Sequence, residues 1–155
     1  MKQYPGVVIA IVKNVNDPDG QGRIEVQFPW LSDSVRSSWA PLAAPLAGKQ
    51  RGMFFMPEVD DEVLVAFEHG RFEHPYVVGH LWNGKDLPPE ADSSNRVIVT
   101  PGGHTVRFED GGGGKKVILK SSSGQTITLD DSEGSITMEG GQRILIMSNG
   151  VVQIL

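Results

Sequence analysis

The chain has 155 residues, with 14 Lys and Arg against 19 Asp and Glu, no Cys and 19 Gly. That length suits one large domain or two small ones. The acidic balance argues against a nucleic-acid partner, whose phosphates need a basic footprint, and the lack of Cys excludes disulfides and thiolate metal sites.

Val7–Val15 is a nearly continuous run rich in Val and Ile, which predicts a first strand. Asp17-Pro-Asp-Gly-Gln-Gly22 is dense turn chemistry, because Pro presets φ and Gly allows positive φ. Arg23–Phe28 alternates, with Ile24, Val26 and Phe28 on one face and Arg23, Glu25 and Gln27 on the other. Ser32–Ser38 reads as a polar loop, and Trp39 opens an extended segment through Pro41 and Pro45. Met53–Met56 is a short apolar piece, and Pro57-Glu-Val-Asp-Asp-Glu62 an acidic turn before a strand at Val63–Phe67. His69–Pro75 is a loop, and Tyr76–Leu81 the last strand of this half. No stretch shows helical periodicity, and short strands at close spacing predict a small barrel over residues 1–86.

Composition then shifts. Residues 1–95 hold 9 of the 10 prolines and 8 basic against 13 acidic residues, whereas residues 96–155 hold 11 of the glycines and 6 charges of each sign. The joint falls in Leu87-Pro-Pro-Glu-Ala-Asp-Ser-Ser-Asn95, a poor strand and a good linker.

Beyond it the sequence repeats. Gly103-His-Thr-Val-Arg-Phe-Glu-Asp110 is answered by Gly124-Gln-Thr-Ile-Thr-Leu-Asp-Asp131, and a looser copy starts at Gly141-Gln-Arg-Ile-Leu-Ile146. Repetition of this kind marks a solenoid or fibre. Each rung offers about two apolar residues to one face, which is too little to close a core within one chain. The economical solution is several identical chains sharing one core, and cyclic closure of three gives a triangular prism. On this reading the core residues are Ile127, Leu129, Ile136, Met138, Ile144, Ile146, Val152 and Ile154. A single-chain sandwich with ordinary hairpins is the alternative that the strand pattern leaves open.

Three blocks carry a further signal: Asp17-Pro-Asp-Gly-Gln-Gly-Arg23 followed by Phe28-Pro-Trp-Leu31, then Pro57–Glu68, then His74-Pro-Tyr-Val-Val-Gly-His-Leu-Trp-Asn-Gly84. In this order and spacing they resemble phage baseplate assembly protein V and the spike half of VgrG proteins, over roughly Tyr4 to Gly84. The resemblance implies an all-β chain, with an N-terminal OB-like barrel followed by a C-terminal intertwined trimeric β-helix. It implies a structural spike of a contractile phage tail or related injection system, docked to a baseplate hub protein and aimed at a target cell envelope. Two features depart from some members: the joint is too short for a glycan-cleaving domain, and no His-x-His pair stands near the C-terminus, the histidines being His69, His74, His80 and His104.

From Arg143 onward the outward positions become apolar, at Leu145, Met147, Val151 and Leu155. An exposed apolar end with an open strand edge is an aggregation hazard, which leads us to expect a separate, PAAR-like tip protein there. A slip of register that turns Leu145 and Leu155 inward is the competing reading. Met1–Gly6 lacks the apolar core of a signal peptide, and no run approaches the roughly 20 apolar residues of a membrane span. The expectation is assembly in the cytoplasm as part of a virion or injection particle.

No cofactor, metal or catalytic residue is expected. Glu58, Asp60, Asp61 and Glu62 could offer oxygens to a hard cation, but their spacing fits no calcium loop and a charged turn explains them. His69 and His74 lack an evident third ligand. Gly111-Gly-Gly-Gly-Lys-Lys116 lacks the Ser/Thr and helix of a phosphate loop, and Gly-x-Ser-x-Gly is absent. Trp30, Trp39 and Trp82 could stack bases on a barrel that binds single-stranded nucleic acid, which is the rival function; in an acidic half they are expected in the core or at chain–chain contacts. A glycan hydrolase, the second rival, would need paired carboxylates in a cleft.

Overall fold

A computed structural model of the chain describes residues 3–32, 34–141 and 143. The chain divides into two compact units, Met1–Leu87 and Pro88–Leu155. Among the described residues every regular element is a strand, apart from one 3-10 turn at Glu68–Gly70.

The first unit contains β1 (Val7–Asn14), β2 (Arg23–Gln27), β3 (Ala40–Pro41), β4 (Ala47–Gly48), β5 (Arg51–Gly52), β6 (Glu62–Phe67) and β7 (Pro75–His80). Five of these form an antiparallel sheet in the order β3-β2-β1-β6-β7. Past β3 the chain turns back onto β7: Leu42 bridges Val77, and the Ala43 N–H donates to the Val77 carbonyl at 2.8 Å. The two edges of the sheet thereby meet, and the result is a nearly closed OB-like barrel.

The period-two reading accounts for its interior. Ile24, Val26 and Phe28 from β2 and its extension are buried, as are Val63, Val65 and Phe67 from β6 and Ala10 and Val12 from β1. Ser37, a buried polar residue, pins the Ser32–Ser38 loop to the barrel: its Oγ accepts the Val26 N–H at 3.0 Å. At one end Tyr4, Phe28, Phe67 and Phe72 pack ring against ring, with centroids 5.2–5.9 Å apart. No tryptophan joins the buried core. Trp39 is half-buried, Trp82 is exposed, and Trp30 rests on the rim of the aromatic cluster, against Tyr4 and Phe28. Their positions lie at strand ends, Trp30 past β2, Trp39 just before β3 and Trp82 past β7, rather than on the inward rows of the sheet.

The Asp17 turn is built around one carboxylate. Asp17 accepts the backbone N–H groups of Asp19, Gln21 and Arg23 at 3.0–3.2 Å, and Arg23 Nε and Nη2 at 2.9 and 2.7 Å. These bonds, the Arg23 guanidinium first, hold the Asp17 carboxyl far below the usual carboxylate range, and they raise Arg23.

The second unit is a five-stranded antiparallel meander: β8 (Arg96–Val99), β9 (Thr105–Glu109), β10 (Lys116–Lys120), β11 (Thr126–Asp130) and β12 (Ser135–Glu139). The repeat now has a structural meaning. Gly103 and Gly124, which open its two copies, both have positive φ, 81° and 95°, and close the turns before β9 and β11. Both β9 and β11 pair with β10, so Val106 and Ile127 both face Leu119, and Phe108 and Leu129 both face Val117. Within the Leu87–Asn95 segment, Glu90 accepts the Ala91 and Asp92 N–H groups and pairs with Arg107 on β9.

Candidate assembly face

Strand register sorts the side chains of the meander onto two sides. One row runs Ile98, Val106, Leu119, Ile127, Met138, and the next runs Phe108, Val117, Leu129, Ile136. Together they make one apolar face, bordered at β8 by Arg96, which stands opposite Phe108. The opposite side is mixed: it carries Thr105, Arg107, Glu109, Lys116, Thr126, Thr128 and Asp130, with Val97, Val99 and Ile118 among them. Five strands at about 4.8 Å by roughly five residues at about 3.4 Å give the face an area on the order of 400 Å².

Within one chain its exposure is inverted. On β11 the polar residues Thr126, Thr128 and Asp130 are half-buried, whereas Ile127 and Leu129 between them are exposed. Ile136 is 70% exposed and Met138 52%. Among the described residues of Pro88–Leu155 none is fully buried. A sheet that puts its apolar side in water cannot draw its stability from that face alone.

The polar side is held by its own charges. Lys116 stands opposite both Glu109 and Asp130 and bonds Asp130 Oδ2 at 2.9 Å. That ammonium, with the Ser132 hydroxyl, keeps the Asp130 carboxyl far below its usual range. Arg107 is raised by its bond to Glu109 and by Glu90. Lys116–Asp130 is a cross-strand tie, whereas Arg107 pairs along its own strand and with the segment before β8.

Of the residues assigned from sequence to a shared core, Ile127, Leu129, Ile136 and Met138 fall on the apolar face. Ile144, Ile146, Val152 and Ile154, and the tip positions Leu145, Met147, Val151 and Leu155, lie outside the described residues. The alternation also continues where the sequence reading stopped short: Ile98, Val106, Phe108, Val117 and Leu119 share the same face. Their signal was present in Val106/Phe108 and Val117/Leu119, each a period-two pair, but pairing with β11 is what puts them side by side.

In the barrel, Asp60 of the acidic turn pairs with Lys13, and Asp61 Oδ2 accepts the Glu58 N–H at 2.8 Å. His69 sits in the left-handed region at φ 51° within the Glu68–Gly70 turn. Among the described residues no group of three His, Asp or Glu side chains is placed to hold a metal ion, and no helix is long and apolar enough to cross a membrane.

Residues 8–82 match the type VI secretion system/phage-baseplate injector OB domain. The barrel is an OB domain of that injector type. Type VI secretion system spike protein VgrG1b of Pseudomonas aeruginosa is 27% identical over 130 residues, covering 74% of this chain and 18% of the relative. VgrG2a of the same organism is 30% identical over 86 residues, 53% of this chain and 10% of its own length. VgrG1a is 26% identical over 135 residues, covering 77% and 21% respectively. The chain therefore spans about a fifth or less of these spike proteins. The longer matches exceed the barrel unit, Met1–Leu87, so the likeness runs on into the meander. All three family-like blocks read from the sequence lie in or against the injector OB domain: the Asp17 turn, the acidic turn leading into β6, and β7.

Proposed function

We propose that this protein is the trimeric central spike of a contractile phage tail or phage-tail-like injection system. The observation that carries the reading is the exposed apolar face of the meander, on a chain whose barrel is an injector OB domain. Three copies that turn these faces toward one axis bury them together and form an intertwined triangular needle. Because each strand ladder then runs across the axis, backbone hydrogen bonds and the interlocked core resist compression jointly. Chains wound about one core separate only by unfolding, so kinetic stability is high. The barrels form the collar that docks to a hub protein, a tip protein caps the far end, and sheath contraction drives the point into a target envelope. The role is structural and needs no catalysis.

Molecular mass in solution tests this, measured before and after strong detergent without heating. A three-chain species that survives detergent is the expected result; a monomer with a stably folded meander overturns the proposal.

A further inference from the structure

Between β3 and β6 the barrel extends an arm, residues 42–56, that the family-like blocks do not include. All of residues 43–55 are exposed, among them Leu46, Met53, Phe54 and Phe55, and Phe54 is 78% exposed. The arm is nonetheless ordered. β4 pairs with β5, the Met53 N–H donates to the Leu46 carbonyl at 2.9 Å, and Gln50 turns the hairpin with φ 56°. A Cβ on Gly52 would stand 2.8 Å from the Leu46 carbonyl oxygen, so the close crossing of the two strands requires glycine there. Lys49 and Arg51 put positive charge at its tip. It is stiff, apolar and cationic, and its own barrel leaves most of its apolar surface uncovered.

A matching surface exists on the same unit. The outward side of β1 is also apolar, with Val7 and Ile9 exposed, and with Trp30 it lines a groove of about 730 Å³ that has Glu62 on its wall. Arm and groove share no residue. Phe54 lies against Gly22, just before β2, whereas Trp30 lies beyond the other end of that strand. One copy therefore does not fill its own groove with its own arm.

The geometry points to the groove of a second copy as the seat of the arm: the Phe54/Phe55 hairpin of one barrel packs on the Val7/Ile9/Trp30 groove of the next, with Lys49 and Arg51 toward Glu62. Two different patches meeting head to tail make a heterologous contact, which closes into a ring when the rotation is right. This rests on the three-chain reading above: a shared needle holds the barrels at about millimolar effective concentration, so a weak contact is populated. The sign of the charges fixes which end enters the groove.

The chain has no Cys, so introduced thiols report without background. Ile9→Cys, Phe54→Cys and the double variant are made in the full chain, their masses checked in solution, then treated with a short bis-maleimide and boiled in detergent. Both positions are exposed, so neither substitution disturbs the barrel interior. The inference expects a covalent three-chain ladder from the double variant and none from either single variant. It also expects Glu62→Lys to lower the cross-linked yield several-fold and Arg51→Glu with Glu62→Lys to recover it. A double variant of three-chain mass that does not cross-link refutes the arm contact and leaves the spike reading standing. Cross-linking by Phe54→Cys alone also refutes it, because the arms would then meet one another. A one-chain mass overturns the spike reading, and the arm contact with it.

Discussion

Replacing Ile136 with Asp is the sharpest probe of the shared needle core. Ile136 is 70% exposed in the single chain, at the end of the row Phe108, Val117, Leu129, Ile136. Full burial of such a side chain contributes about 1.5–3 kcal/mol, so covering its remaining surface contributes about 1–2 kcal/mol per chain and about 3–6 kcal/mol over three. Asp forfeits that and sets three unpaired carboxylates near one axis, each costing several kcal/mol when desolvated. The combined loss is on the order of 10 kcal/mol, comparable to the whole stability of a domain. Light scattering should therefore find Ile136→Asp as single chains under conditions that keep the parent in threes. Thr137→Asp is the control: it places the same charge one residue on, opposite Thr128 on the polar side, and should leave the mass unchanged. If Ile136→Asp keeps the parent's mass and melting temperature, or if both variants dissociate alike, the apolar face is not the needle core.

Phe28 is fully buried and meets the rings of Trp30, Phe67 and Phe72, so Phe28→Ala should lower barrel stability by about 3–5 kcal/mol, read as an earlier denaturant midpoint; a loss below about 1 kcal/mol would misplace the core. The Asp17 carboxyl titrates lower in the folded barrel than in the unfolded chain, so its contribution is complete above the unfolded value of about 3.9 and drains away as pH falls through the depressed folded one. Asp17→Asn should therefore melt below the parent at neutral pH, and the gap should narrow progressively under about pH 4; an unchanged gap in strong acid would assign the difference to something other than this carboxylate. Labelled single-stranded oligonucleotides should show no salt-sensitive binding in fluorescence anisotropy, whereas saturable binding that weakens with salt would favour the rival use of the barrel.

Much of the barrel was legible because a strand's alternation is local. Ile24, Val26 and Phe28 announce one buried face without reference to anything else in the chain, and Asp17–Gly22 announces a turn by its Pro and Gly alone. β1 was legible as a strand but not as to its faces, since Val7, Ile9 and Ile11 are as apolar as Ala10 and Val12. Only pairing with β2 and β6 decides which set points into the barrel.

The arm was the plainest loss. Met53–Met56 reads as an apolar piece, and hydrophobicity by itself argues for burial, yet Met53, Phe54 and Phe55 are exposed and only Met56 packs on the core. Strands of two residues, Ala47–Gly48 and Arg51–Gly52, are too short to leave a period, so the hairpin that lifts them outward has no signature in the chain order.

In the second unit the glycine spacing and the period-two pairs by themselves determined that rungs would stack, and that each would present its apolar residues on one side. Tertiary structure alone decided that five such rungs register into a single apolar face and that this face, rather than the polar one, is left uncovered. The reason is physical: which side a residue takes depends on its neighbours along the chain, but whether that side meets water depends on what else is folded against it.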